Sequence, residues 1–337
     1  MIFSIAWKNV WRNRLRSLIV MIAVTIGMIG GIFSSAVFKG MSDQRVREAI
    51  QYETGHIQIH HPRFMENQEL EYTLDHPQEL AGDIASMEGV EAVSRRMELP
   101  VMIKSTSTGT GVQLLGIDPS EEKQVTSINQ AVYDSNRVAS EYGFQDSERI
   151  SRFLKDSVGR YFKASSRSEQ IVIGEELAEQ LKVDVKSKVA VNLQTADGTL
   201  SGGVFRVAGI YRITNSAFEN TVAFVKKDAL ASLTGLDREA THELVVRLAD
   251  DQQVGPVMAR LKEKYPELSI LSWKDIQPEL GMITQWLDVM LYFIMVIILL
   301  ALGFGIVNTM LMVVMERIKE LGMLMAIGMN RIRVFSM

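Results

Sequence analysis

The sequence contains no cysteine among its 337 residues. That excludes a disulfide framework, thiolate chemistry and cysteine-ligated zinc, and it fits a reducing compartment or a bacterial exterior. The dipeptide Gly-Lys is also absent, and with it the G-x-x-x-x-G-K-[ST] phosphate loop, so this chain is not an ATPase by that route. A net charge of −4 is too small to point to an electrostatic partner such as nucleic acid. No acidic residue occurs before Asp43. Charge of either sign is missing from two long stretches, "LIVMIAVTIGMIGGIFSSAVF" (18–38) and "VMLYFIMVIILLALGFGIVNTMLMVVM" (289–315).

At a rise of 1.5 Å per residue, the 21 residues of the first stretch span roughly the 30 Å of a bilayer's hydrocarbon layer. A cleaved signal peptide would have an apolar region of only about 7 to 15 residues. The second stretch is longer, with Trp286 and Tyr292 where an interfacial aromatic belt would lie. Both are expected to be transmembrane helices, over residues 18–38 and 286–315. Their inner flanks carry Lys8, Arg12, Arg14, Arg16, Arg317, Lys319, Arg331 and Arg333, against Lys39, Arg45, Arg47 and Lys274 on the other side. This bias predicts cytoplasmic ends and an extracytoplasmic domain over residues 39–285.

Residues 1–17 place Phe3, Trp7, Val10 and Leu15 on one side of a helix and Lys8, Arg12 and Arg16 largely on the other. A helix of this kind lies along the inner membrane surface, as a plain anchor or as a grip on a partner. Ala23, Gly27, Gly31 and Ser35 recur at intervals of four in the first span, and Ala301, Gly305 and Thr309 do so in the second. Such stripes let helix backbones approach closely, although glycine-rich membrane segments also produce the spacing by chance. Asn308, deep in the second span, suits a packing hydrogen bond better than a transport ligand. The spans contain no chain of carboxylates, which argues against a proton- or ion-driven pump.

The region between the spans reads as mixed α/β. "GHIQIHH" (55–61) is an alternating strand, "HPQELAGDIASMEG" (76–89) a helix and "VEAVSRRMELPVMIK" (90–104) a pair of strands around Pro100. Residues 242–273 repeat the order strand, helix, strand. Side by side, 55–104 and 242–273 predict a split βαβ, ferredoxin-like layer near the membrane, with 105–241 as an insertion projecting outward. The second half of that insertion is strand-rich, with a hairpin signal at Asp197-Gly198. Residues 119–168 are polar, with one helix expected around 148–162 and parts expected to be mobile. His56, His60 and His61 with Glu53 raise the possibility of a metal site, but no fourth ligand is usefully spaced, so solvated strand histidines are preferred. Gly109 and Gly111 are expected in a hairpin turn. No catalytic constellation, cofactor site or metal site is identified.

The second span runs into "ERIKELGMLMAIGMNRIRV" (316–334), a charged amphipathic stretch presenting Leu321, Leu324, Ile327 and Ile332 and punctuated by Gly322 and Gly328. A helix with an apolar face at a membrane exit suits docking in a groove of a soluble partner, or simply lies at the membrane surface. The stretch resembles the cytoplasmic segment of FtsX/MacB-type ABC transporter permeases. Their pattern is Glu-Arg, then Glu-Ile/Leu-Gly, then Ala-Ile/Val-Gly and a basic residue. Glu316, Arg317, Glu320, Leu321, Gly322, Ala326, Ile327, Gly328 and Arg331 fall on it. "AWKNVWRNRLRS" resembles the same family's entry helix, and "GHIQIH" before a large outer domain is similar to its lipoprotein-releasing LolC/LolE-type branch.

The resemblance implies a mechanical permease subunit. Residues 316–337 would couple to a separate cytoplasmic ABC ATPase dimer that binds ATP and Mg, beside a second permease subunit in a bacterial inner membrane. Lipoproteins or other amphiphiles would be handled at the outer leaflet, with a periplasmic acceptor possible. Family members have four spans, so the chain is expected to be a fragment. Regulation of a cell-wall enzyme and MacB-like efflux remain alternatives within the family. A sensor-type receptor should instead continue into a heptad-patterned helix, which Gly322 and Gly328 disfavour.

Overall fold

The structure, a computed structural model, describes residues 14–132, 161–162, 169–195, 197–316 and 318–328. It begins with helix α1 (Arg14–Glu48), a π-helical turn (Ala49–Thr54), β1 (Ile57–His60), α2 (Phe64–Asn67), α3 (Pro77–Ala85), β2 (Val90–Lys104), β3 (Gly109–Ile117), α4 (Pro119–Val125) and α5 (Ile128–Ala131). Next come β4 (Gln170–Gly174), α6 (Glu175–Leu181), β5 (Lys188–Gln194), β6 (Leu200–Tyr211), α7 (Ser216–Thr221), β7 (Val222–Lys226) and α8 (Lys227–Thr234). The chain continues with β8 (Glu243–Leu248), α9 (Val254–Lys264), β9 (Ser269–Ser272), α10 (Trp273–Ile276), α11 (Pro278–Glu316) and α12 (Ile318–Ala326). Two compact units result, one from α1 up to Gln44 together with the chain from Leu280, the other from Arg45–Glu279. Of the helices expected over 1–17 and 148–162, only residues 14–17 and 161–162 are among those described.

All nine strands of the second unit join one mixed sheet in the order β3-β7-β4-β6-β5-β2-β8-β1-β9, and β3 also pairs β2. Six strands therefore close a ring, β2-β3-β7-β4-β6-β5, whose interior is filled by side chains from every strand, as a small barrel requires. Leu99, Leu114, Ile171, Val191, Phe205 and Val225 belong to that core. The remaining strands extend from β2 in the order β8, β1, β9, each antiparallel to its neighbour. Their apolar residues Ile57, Ile59, Leu244, Val246 and Ile270 pack with Ile84 of α3 and with Val257 and Leu261 of α9.

β2 holds the two parts together, and its sequence shows how. Burial runs through Ala92, Ser94 and Arg96, then shifts by one residue to Met97, Leu99, Val101 and Ile103. A period-2 strand that changes phase offers its buried positions first to one core and then to another. Along one edge it pairs β8 from Val90 to Arg96 and β5 from Met102 to Lys104. Pro100 falls in the gap between those ladders, where a missing N–H is harmless, while β3 pairs β2 from Arg96 to Lys104.

Two expectations are corrected. Residues 90–104 form one continuous strand, not two. The strands of residues 105–241 share the sheet and complete the barrel with the second half of β2. The turn between β2 and β3 is made by residues 105–108, closed by Ser105 N donating to the Thr108 carbonyl at 2.8 Å, so Gly109 and Gly111 are strand residues. The lack of a Cβ at Gly109 lets β3 lie close to Lys104, whose Cγ would stand 2.7 Å from such an atom. The hairpin at Asp197-Gly198 does join β5 to β6, with Gly198 at φ 80°. Within the polar stretch 119–168, residues 119–125 and 128–131 are helical.

Candidate functional site

Among the described residues one helix, α11, is long and apolar enough to cross a membrane, and none of its apolar window is buried within the chain. Phe304 is 74% exposed and Leu299 66%. Apolar surface of that extent demands lipid or another protein around it. Helix α1 contains the first apolar stretch and likewise exposes Ile26, Ile32 and Phe33. Of its small-residue stripe, Gly27 and Gly31 face α11: a Cβ on Gly31 would stand 2.6 Å from Ile298 Cδ1, and one on Gly27 would stand 3.9 Å from Leu302. Gly305 is not part of this contact, since a Cβ there would enter open space. The two stripes therefore do not interlock; the glycines of α1 receive branched side chains of α11. Ala301 is exposed, and Ala23, Ser35, Asn308 and Thr309 are helical residues for which no packing role follows.

Gly31→Leu would force the helices apart, since overpacking of this kind costs about 1–3 kcal/mol. In this cysteine-free chain the expected result is a several-fold fall in disulfide crosslinking between Gly27→Cys and Leu302→Cys when Gly31→Leu is added. Unchanged crosslinking would show the stripe to be incidental.

The cytoplasmic-pattern residues divide between two helices. Glu316 ends α11, and α12 carries Glu320, Leu321, Gly322, Leu324 and Ala326. Gly322 lies inside that helix and does not end it. The stop comes at Gly328, with φ 95° and its N–H donating to the Met325 carbonyl at 3.1 Å, a turn that a residue with a Cβ would resist. Ile318, Met323, Met325 and Ile327 are exposed, the last at 84%. Arg317 and Arg331 lie outside the described residues.

Sequence reasoning missed a polar layer on the face of β1, β8 and β2 opposite α3 and α9. His60, Glu243 and Arg96 are cross-strand neighbours there. Arg96 is buried and donates to Glu122 of α4 through Nε (3.0 Å) and Nη2 (2.6 Å), and its Nη1 stands 3.5 Å from Glu243 Oε1. Glu122 also accepts from Ser94 and Thr126. Burial opposes both charges of the pair, but each partner overrides it, lowering the Glu122 pKa and raising that of Arg96. The only advance signal was an alternating strand with an arginine pair, Arg95-Arg96, where an apolar residue would be expected.

His56, His60 and His242 are buried, which overturns the solvated reading for His56 and His60, whereas His61 follows β1 half-buried and stacked on Tyr72. His56 accepts from Leu248 N at Nδ1 and donates from Nε2 to Asp251 at 2.8 Å. His60 and His242 each stack with Phe64. His242 accepts from Glu98 N and donates to the Leu70 carbonyl, which fixes its neutral tautomer. No group of three or more possible ligands that could hold a metal occurs among the described residues. The Glu53 carboxylate accepts from Arg45, Asn215 and Gln277.

Burial, reinforced by Glu243, pushes the Glu98 carboxyl up to about 7. Burial also lifts Glu243 to about 7 against the pull of Arg96, and it lowers His60 and His242 to about 4. Between pH 4.5 and 6.5 the folded carboxyls hold two protons that the unfolded chain has released, while the unfolded histidines hold two that the folded chain excludes. The two effects on stability oppose and nearly cancel. Glu98→Gln removes one term that falls with rising pH. Relative to the parent, the variant should gain on the order of 2 kcal/mol between pH 5 and pH 7. Urea unfolding at the two pH values measures this, and parallel curves would refute it.

The mixed-sheet domain leads in sequence into one helix long and apolar enough to cross a membrane. The chain belongs to the MacB-like periplasmic core domain family, matched over residues 17–264, and residues 292–337 match the FtsX-like permease C-terminal family. These two matches place the chain in the FtsX/MacB-type ABC transporter permease family. It is 23% identical over 249 residues to the lipoprotein-releasing system transmembrane protein LolC of Neisseria meningitidis, covering 72% of this chain and 54% of that protein. The chain thus spans about half the length of this curated relative. Among solved structures it is similar to the extracellular domain of the noncanonic ABC-type transporter YknZ from Gram-positive bacteria (14% identity, TM-score 0.37, covering 64% of this chain and 99% of that one). The periplasmic region of MacB from Actinobacillus actinomycetemcomitans is similar at 8% identity and a TM-score of 0.39, covering 67% and 91%.

Proposed function

We propose that this chain is a permease subunit that carries ATP-driven motion from a separate cytoplasmic ATPase, through two membrane helices, to its extracytoplasmic domain. The work done there would be the extraction or release of lipoproteins or another amphiphile from the outer leaflet. The observation that carries the reading is the order of the two family matches, a MacB-like core domain over 17–264 followed by an FtsX-like segment over 292–337. In this reading α1 and α11 are the two spans, with their far ends cytoplasmic. The layer β2-β8-β1-β9 with α3 and α9 is a split βαβ, ferredoxin-like base, and the barrel stands beyond it. Residues 316–331 dock on the ATPase, which supplies ATP and Mg, and a second permease subunit completes the assembly. The LolC likeness favours lipoprotein as the amphiphile.

The test is release of a triacylated lipopeptide from vesicles containing the complete permease and the ATPase that co-purifies with it. ATP-dependent release is expected. Absence of any co-purifying ATPase would overturn the permease mechanism. Nucleotide-driven motion without lipopeptide release would overturn the substrate alone.

A further inference from the structure

We infer that the carboxylate of Glu53 is the joint through which the two membrane helices drive the barrel. This rests on the proposed transmission function and assigns it a positioning residue. The Glu53 side chain is 2% exposed. Its Oε1 accepts from Arg45 Nη1 and from Asn215 Nδ2, both at 3.0 Å, and its Oε2 accepts from Gln277 Nε2 at 2.6 Å. These partners lie 8, 162 and 224 residues away in sequence. Arg45 belongs to the last turn of α1. Gln277 is the residue before α11 begins at Pro278. Asn215 lies in the link from barrel strand β6 to α7. One buried anion therefore gathers the exits of both long helices and one strand of the barrel.

Each of the three arms is itself held firmly. The π-helical turn is closed by Gly55 N donating to the Ile50 carbonyl at 3.2 Å, and π turns commonly mark functional positions within helices. Gly55, at φ 64°, has no room for a Cβ, which would stand 2.4 Å from Val245 Cγ1, so the turn is seated against β8. The Gln277 arm follows α10, which starts at a capping box of Ser272 and Asp275 and returns Gln277 N to the Trp273 carbonyl at 2.9 Å. On the barrel side, Glu219 N donates to the Asn215 carbonyl at 3.1 Å, and the Glu219 carboxyl accepts from Ile213 N. A buried carboxylate with all three donors in place is strong, and removing it leaves a cation and two amides without their acceptor. Movement of either helix exit must then pull the carboxylate, and the carboxylate pulls Asn215.

The experiment uses the complete permease with its ATPase in lipid nanodiscs, labelled singly with an environment-sensitive fluorophore at Met282→Cys on α11 or at Leu200→Cys on the barrel. Both sites are exposed, at 53% and 87%. In the parent, ATP should shift the signal at both. In Glu53→Gln the shift at 282 should persist while that at 200 falls at least fivefold. Asn215→Ala, at a half-buried position, should give the same split. A parental shift at 200 in both variants overturns the inference, and so does equal loss at both sites, which would mean general damage. If the parent shows no ATP-dependent shift at 282, the transmission reading itself fails and takes this joint with it.

Discussion

On the proposed transmission reading, Glu320→Lys or Leu324→Asp should abolish the response of the partner ATPase to lipopeptide while leaving the extracytoplasmic domain folded. Both residues lie on α12, the helix that follows the long apolar α11. If α12 seats in a groove on the ATPase, its charged residues set the register and its apolar residues fill the groove. A new charge buried there without a partner costs several kcal/mol, enough to weaken docking by more than about a hundredfold. The ATPase would still bind nucleotide, because its own site is untouched. Lipopeptide-stimulated hydrolysis in lipid, with the complete permease, is the measurement. Normal stimulation in both variants would reduce α12 to a membrane-exit helix and remove the main mechanistic support for the transmission reading.

Much of the outline was legible because its signals are local. Twenty-seven uncharged residues in a row can hardly be anything but a helix in an apolar setting, and α11 is that helix. The alternation in "GHIQIHH" and "HELVVRL" marked β1 and β8, and Asp197-Gly198 marked the β5–β6 turn. The barrel was not legible, because closure depends on which strands pair across long separations. The pairing of Leu114 with Ala223 is one such non-local fact. Pro100 argued for a break in β2 only so long as both edges of that strand were assumed to carry ladders. His56 and His60 were misread because a short strand with polar residues looks one-sided, whereas His60 lies against Phe64 of α2 and His56 is bonded to Leu248 N and Asp251. Nothing in the spacing of Glu53, Asn215 and Gln277 could have announced that they meet.

Arg96→Met should be the most damaging single change in the extracytoplasmic domain, more so than truncation of most apolar core residues. The guanidinium is 2% exposed and bonded bidentately to Glu122, whose side chain is fully buried. Methionine roughly matches the arginine stem in shape, so packing is largely kept and the electrostatic effect is isolated. What remains is a buried Glu122 carboxylate without its cation, a loss of about 3–5 kcal/mol when one member of a buried pair is removed. For a domain of this size that corresponds to roughly 10 °C in melting temperature. The pH dependence gives the sign. In the parent, the Glu122 pKa lies below its usual value, so its contribution is complete above pH 4.5 and fades only as pH falls through the lowered value. In the variant the orphaned carboxyl is raised and takes up a proton on folding, so the variant loses stability as pH rises. The gap between parent and variant should therefore be wider at pH 8 than at pH 5. Glu122→Gln added to Arg96→Met should narrow the gap and flatten its pH dependence, because the remaining amide is neutral and still bonded to Ser94 and Thr126. Thermal melts of the detergent-solubilised chain, read by proteolysis of the extracytoplasmic domain, decide the matter. An equal gap at the two pH values, or a double variant no more stable than Arg96→Met, would show that the ion pair is not what holds β2 to α4.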